Sequence, residues 1–102
     1  MKDAVVIEEF KERRANTLRG FCRVRLVSGM ILEDVGIHQG VDGCWVSMPS
    51  KPMIDARGAV VRDERGKIRY VNLVNFATRA KRDQLTQMIL EAVLTKFPQA
   101  FD

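Results

Sequence analysis

The strongest constraint on this chain is a change in its hydrophobic period. Between residues 18 and 27, apolar and polar side chains alternate. Leu18, Cys22, Val24 and Leu26 fall on one face, and Arg19, Phe21, Arg23 and Arg25 on the other. That is the two-residue period of a half-buried strand. Between residues 79 and 97 the period lengthens, and Leu85, Met88, Ile89, Ala92, Val93 and Phe97 recur at helical spacing. A chain that alternates early and turns helical late buries both apolar faces by laying the helix on the sheet. The expected class is therefore α+β: an antiparallel sheet of meander and hairpin strands followed by a C-terminal amphipathic helix.

Turn residues divide the sheet region. Ser28 and Gly29 read as a two-residue connection to an antiparallel partner at residues 30–38. Residues 40–43, with the pair Asp42 and Gly43, lead to a third strand at 44–48, which Pro49 stops. Residues 50–57 read as a loop. Residues 58–63 and 67–76 are β-prone runs around a turn at Glu64, Arg65 and Gly66, giving a second hairpin. Residues 4–7 are also β-prone, but they run into a charged segment at 8–14 that suits a strand, a turn or a short helix equally. Thr78 is placed to cap the helix and Pro98 to end it. No internal repeat is evident. The 102 residues fit one domain, taken as 1–102. A second apolar stripe on the helix (Leu90 and Leu94, continued by Phe101) implies packing on a second copy, so a homodimer is expected.

The net charge of +4 is unevenly spread. Residues 11–25 hold Lys11, Arg13, Arg14, Arg19, Arg23 and Arg25 against Glu12 alone. Residues 51–69 hold Lys51, Arg57, Arg62, Arg65, Lys67 and Arg69 against Asp55, Asp63 and Glu64. Concentrated positive charge favours polyanionic partners. Cys22 and Cys44 lie in apolar runs without metal-ligand spacing and read as buried thiols. No cleavable signal pattern is read at the N-terminus, so a cytoplasmic location is expected. No apolar run approaches the roughly 20 residues of a membrane span, and no membrane association is expected. His38 is the sole histidine. It is not accompanied by a glycine-rich phosphate loop, a metal-ligand cluster or a nucleophile-base ordering. The expectation is a non-enzyme with no cofactor, metal or small-molecule substrate.

The run Gly40, Val41, Asp42, Gly43, Cys44, Trp45, Val46, Ser47, Met48, Pro49, Ser50, Lys51 resembles the signature of the stage V sporulation protein G (septation regulator) family. In that family a glycine turn, an apolar strand and Met-Pro-Ser followed by basic residues occur together. The strand pair at 18–27 and 30–38 is in the family's order, and Ile89, Leu90, Glu91, Ala92, Val93 and Leu94 resemble its C-terminal helix. The chain departs from the pattern in having Lys51 and then Pro52 where the family has two basic residues. Its stretch at 53–70 is also longer, and residues 72–77 replace the family's His-Pro pair. The resemblance implies a dimeric α+β regulator that binds DNA, and in some members RNA. It transfers Lys51 as a contact and matches Arg79, Lys81 and Arg82 to a general habit of basic residues at the helix start.

The residues themselves supply the remaining candidates. Arg19, Arg23 and Arg25 share one strand face. Arg57, Arg62, Arg65 and Lys67 lie on a ribbon narrow enough for a major groove, where arginine can hold phosphates or read guanine edges. The alternatives are pairing of the strand arginines with Glu33 and a solvated hairpin tip. Phe21 and Trp45 read as packing residues before stacking platforms. The rival function is a protein-interaction or oligomerisation module whose charge serves solubility.

Overall fold

The computed structural model describes residues 5–101. Four antiparallel strands form the main sheet in chain order: β1 (Val5–Ala15), β2 (Leu18–Leu26), β3 (Ile31–Gly40) and β4 (Gly43–Ser47). A separate two-stranded pairing joins β5 (Ser50–Pro52) to β6 (Tyr70–Asn72). The helix α1 (Arg79–Lys96) follows, and a 3-10 turn at Pro98–Phe101 closes the described chain. The architecture is α+β.

β2 buries Gly20, Cys22 and Val24 in alternation, with one register slip of its own at Arg19, where Leu18 pairs with His38 and Gly20 with Ile37. Its neighbours on both sides carry bulges. In β1 the register slips between Ile7 and Glu9, so Ile7 and Phe10, three apart, both turn to the core side. In β3, Val24 pairs with Leu32 but Cys22 with Val35, and the extra residue is absorbed where Asp34 takes φ 54°. A bulge of this kind re-aims the side chains that follow it. The charged segment 8–14 is thus a strand, and the sheet has four strands, one more than the three-stranded meander read from the sequence. The β2–β3 connection is also longer than expected. Leu26 N–H bonds to Met30 O and Gly29 N–H to Leu26 O, a three-residue loop closed by Gly29 at φ 93°.

Helix α1 covers one face of this sheet. Ile89 and Val93 join Ile7, Val24, Val35 and Ile37 as the fully buried large side chains. Thr78 caps the helix, its Oγ1 accepting from Lys81 N–H at 3.2 Å. At the other end the Phe97 ring stacks on Phe10 at 5.4 Å, and Lys96 Nζ donates to Ile7 O at 2.8 Å. The helix terminus is thereby tied to β1. Pro98 ends the helix as its missing N–H requires. No helix among the described residues is long and apolar enough to cross a membrane.

Candidate nucleic-acid interface

The basic residues selected from the sequence fall into three places, and they differ in what holds them. On the sheet face opposite α1, the arginines of β2 are engaged. Arg23 Nε lies 3.2 Å from Glu33 Oε2, and Arg25 Nε lies 2.6 Å from Glu8 Oε2, which also stands 4.0 Å through Oε1 from Arg23. Arg19 is half-buried and donates to Gln39 Oε1 at 3.3 Å and to Asn16 O at 3.3 Å. Sequence reasoning anticipates the Glu33 partner but misses Glu8, because nothing in the sequence pairs residues 8–14 with β2. These exposed ion pairs are each worth about 0–1 kcal/mol. They nonetheless leave this face closer to neutral than its arginine count implies.

The second place is an arm built from residues 50–72. It is not the two-stranded ribbon read from the sequence. Ser50, Lys51 and Pro52 pair with Asn72, Val71 and Tyr70, forming a stem where the sequence reads a loop at 50–57. Beyond the stem the chain makes two short hairpins in place of one. Ile54 bridges Val60, and Arg62 bridges Ile68. The two hairpins share a local sequence, Asp55-Ala56-Arg57-Gly58-Ala59 and Asp63-Glu64-Arg65-Gly66-Lys67. They also share their bonding. Asp55 Oδ1 accepts from the N–H of Arg57 and Ala59 at 2.9 and 3.0 Å, and Asp63 Oδ1 from Arg65 and Lys67 at 2.8 and 3.0 Å. Gly58 and Gly66 take φ of 83° and 82°, the left-handed conformation that lets each three-residue loop close.

At the junction of stem and hairpins, three backbone bonds close a ring. Met53 N–H donates to Arg69 O, Arg69 N–H to Val61 O and Val61 N–H to Met53 O, at 2.8, 3.0 and 2.9 Å. The three residues are eight apart, and so are the two aspartates. The arm is an eight-residue repeat, where no internal repeat is evident from the sequence. Two copies differing at two of five turn positions are too short to stand out without their shared bonds.

Within the arm, Lys51, Arg57, Arg65, Lys67 and Arg69 are exposed and form no ion pair among the described residues. Arg62 is used locally, its Nη1 donating to Gly66 O at 2.8 Å. An open depression on the second hairpin is lined by Arg62, Asp63, Glu64, Arg65, Lys67 and Arg69. Arg69 joins this cluster although it is outside the residues selected from sequence.

The third place is the first turn of α1. Arg79, Lys81 and Arg82 are exposed there, and the turn has no acid to complement the positive end of the helix dipole. Arg82 Nη2 approaches Asp83 Oδ1 at 3.4 Å. Arg79 and Arg82 line one side of a groove whose other walls include Ser50 and Asn72 of the stem and Trp45, Val46 and Leu90. The groove therefore links the helix start to the base of the arm, while Arg19, Arg23 and Arg25 lie apart on the far face of the sheet.

Two further groups bear on chemistry. His38 Nε2 and Ser47 Oγ lie 3.1 Å apart, as do His38 Nδ1 and Thr17 Oγ1, and burial pushes the His38 pKa below its usual value. Cys22 is buried and its thiol is pushed up to about 12, whereas Cys44 is exposed, contrary to the buried thiol expected there. The edge strand β4 turns Cys44 to solvent because no further strand or helix among the described residues covers that position. No group of three or more metal-binding side chains occurs among the described residues. Comparison with protein-family models and with curated proteins returns no match.

Proposed function

We propose that this chain is a dimeric, non-enzymatic regulator that binds nucleic acid, DNA and in some settings RNA, in the cytoplasm, in the manner of the septation-regulator family it resembles. The observation that carries the reading is the asymmetry of charge. Arg23 and Arg25 on the sheet are paired with Glu8 and Glu33, whereas the arm and the helix start hold exposed cations with few carboxylate partners, Arg79 and Arg82 along a groove that reaches the stem and Arg65, Lys67 and Arg69 around the second hairpin. Unpaired cations neutralise phosphates and release condensed counterions, which supplies affinity without sequence preference. Lys51, Arg57, Arg65, Lys67, Arg79 and Lys81 are the contacts this assigns first.

A second copy of the chain fits the apolar part of the same region. Leu94 and Trp45 are 56% and 45% exposed, large values for apolar side chains, Trp45 lines the groove, and β4 is a sheet edge among the described residues. Sedimentation of the wild type and of Leu94→Asp checks this, with a dimer expected for the first and a shift toward monomer for the second.

Binding is tested by anisotropy titration of a mixed-sequence duplex and a single strand at two salt concentrations. Arg57, Arg62 and Arg65 reversed to Glu serve as the control. Salt-sensitive binding that the triple variant loses supports the reading. Absence of binding to both probes at low salt overturns it in favour of a protein-interaction module.

A further inference from the structure

The repeat in the arm has a consequence beyond a general affinity for nucleic acid. Arg57 and Arg65 occupy the same position in two turns of the same geometry, each after an aspartate that ties down the loop and before a glycine that closes it. Each aspartate carboxylate is turned inward onto backbone N–H groups and forms no ion pair with the tip arginine. The ring through Met53, Val61 and Arg69 fixes how the two hairpins leave the stem. The arm therefore holds out two guanidinium groups from turns of the same geometry on a hydrogen-bonded base.

We propose that Arg57 and Arg65 are a matched pair of prongs that hold two phosphates of one nucleic-acid duplex. This rests on the nucleic-acid reading above and adds the form of the ligand. Planar guanidinium forks hold phosphate oxygens with two hydrogen bonds. Two such forks carried on hairpins tied at one backbone junction suit phosphates that are themselves at fixed separation. Duplex DNA is stiff over about 150 base pairs, so its phosphates keep their spacing, whereas those of a single strand rearrange. Single-strand binders stack bases on aromatic side chains beside the basic groove. Neither turn, 55–59 or 63–67, contains an aromatic residue, and the exposed aromatic side chains Trp45 and Tyr70 stand at the groove and the stem rather than at the two tips. The unlike flanks, Ala56 and Ala59 in one turn and Glu64 and Lys67 in the other, leave the arginine as the feature the two tips share.

The test is a salt series of anisotropy titrations on a mixed-sequence duplex and on one of its strands. The proteins are wild type, Arg57→Ala, Arg65→Ala and the double variant. Both turns are held by aspartate and glycine, so truncating the arginines leaves the fold intact, which circular dichroism verifies. Loss of one phosphate contact lowers the slope of log K on log salt by about 0.9 for B-DNA. The expected result is an equal drop of about that size per protomer for each single variant, about twice that for the double, and a reduced preference for duplex over single strand. A wild type that binds duplex while the double variant keeps the same slope and preference overturns the prongs and leaves the nucleic-acid reading standing. So does a loss confined to one of the two arginines. A wild type that binds neither probe at low salt overturns both.

Discussion

The indole of Trp45 lies flat against the imidazole of His38, with ring centroids 5.3 Å apart and planes 4° from parallel. The stack crosses from β3 to β4, where the two residues are register partners. Thr17 and Ser47 hydroxyls hold the two ring nitrogens of His38. Burial disfavours the imidazolium, so the folded protein holds His38 below its usual pKa. The unfolded chain, titrating near 6.5, then takes up the proton first as pH falls. The stability contributed by this site is complete above that pH and is lost as pH drops toward the folded value. The expected outcome is a melting temperature that declines from pH 7.5 to 5.5 by a component that His38→Gln removes. Trp45 is the sole tryptophan, so its native-state fluorescence should titrate with a midpoint below the ordinary histidine value.

The two thiols should behave differently. Cys22 is buried, with its thiol pushed up to about 12, and has almost no thiolate at pH 8. Cys44 is exposed on the edge strand. Titration with an aromatic disulfide reagent at pH 8 should therefore consume one thiol rapidly in the native protein and both in denaturant. Cys44→Ser should abolish the fast phase, and Cys22→Ser should leave it unchanged.

Gly20 is required by contact. A Cβ there would lie 2.5 Å from Phe10 Cζ and 2.6 Å from Lys11 O, and the second of these is backbone that has little room to yield. Gly20→Ala should cost about 1–3 kcal/mol as an overpacked site, toward the upper end because the β1–β2 pairing must shift. At Gly29 a Cβ would meet nothing within 4 Å, and only its φ of 93° opposes substitution. Urea unfolding of the two alanine variants separates the effects, with the larger loss of midpoint at position 20.

How legible these features are in sequence depends on regularity. The helix, its Thr78 cap and its Pro98 end read correctly because nothing interrupts their spacing, and β2 reads correctly because its alternation runs unbroken from Gly20 to Leu26. β1 does not, since its slip after Ile7 breaks the alternation and places Glu8 against Arg23 and Arg25. The arm is harder still. Residues 58–63 and 67–76 are β-prone, but each can pair in more than one way, and propensity does not choose between a single hairpin and a junction. The choice is made by Asp55 and Asp63, whose side chains bond locally and stop two turns where composition marks only one. Among the site residues, clustered arginine is readable from composition, but which arginines are already paired depends on register.

The eight-residue repeat makes one excision specific. Ser50, Lys51 and Pro52 pair with Asn72, Val71 and Tyr70, and extending that register inward would place Ile54 opposite Ile68 and Asp55 opposite Lys67. Deleting residues 57–64 joins Ala56 to Arg65 and leaves Asp55-Ala56-Arg65-Gly66-Lys67, the same turn pattern as before, at the end of an uninterrupted stem. The deletion removes two arginines and two acids, so net charge is unchanged. The fold beneath should be unaffected, because no arm residue belongs to the buried core. The shortened protein should match the wild type in far-ultraviolet dichroism of its helix, and its melting temperature should fall by at most a few degrees, about the effect of 1 kcal/mol or less in a domain of this size. A loss of cooperative unfolding would instead show that the ring through Met53, Val61 and Arg69 supports the main sheet as well as the arm.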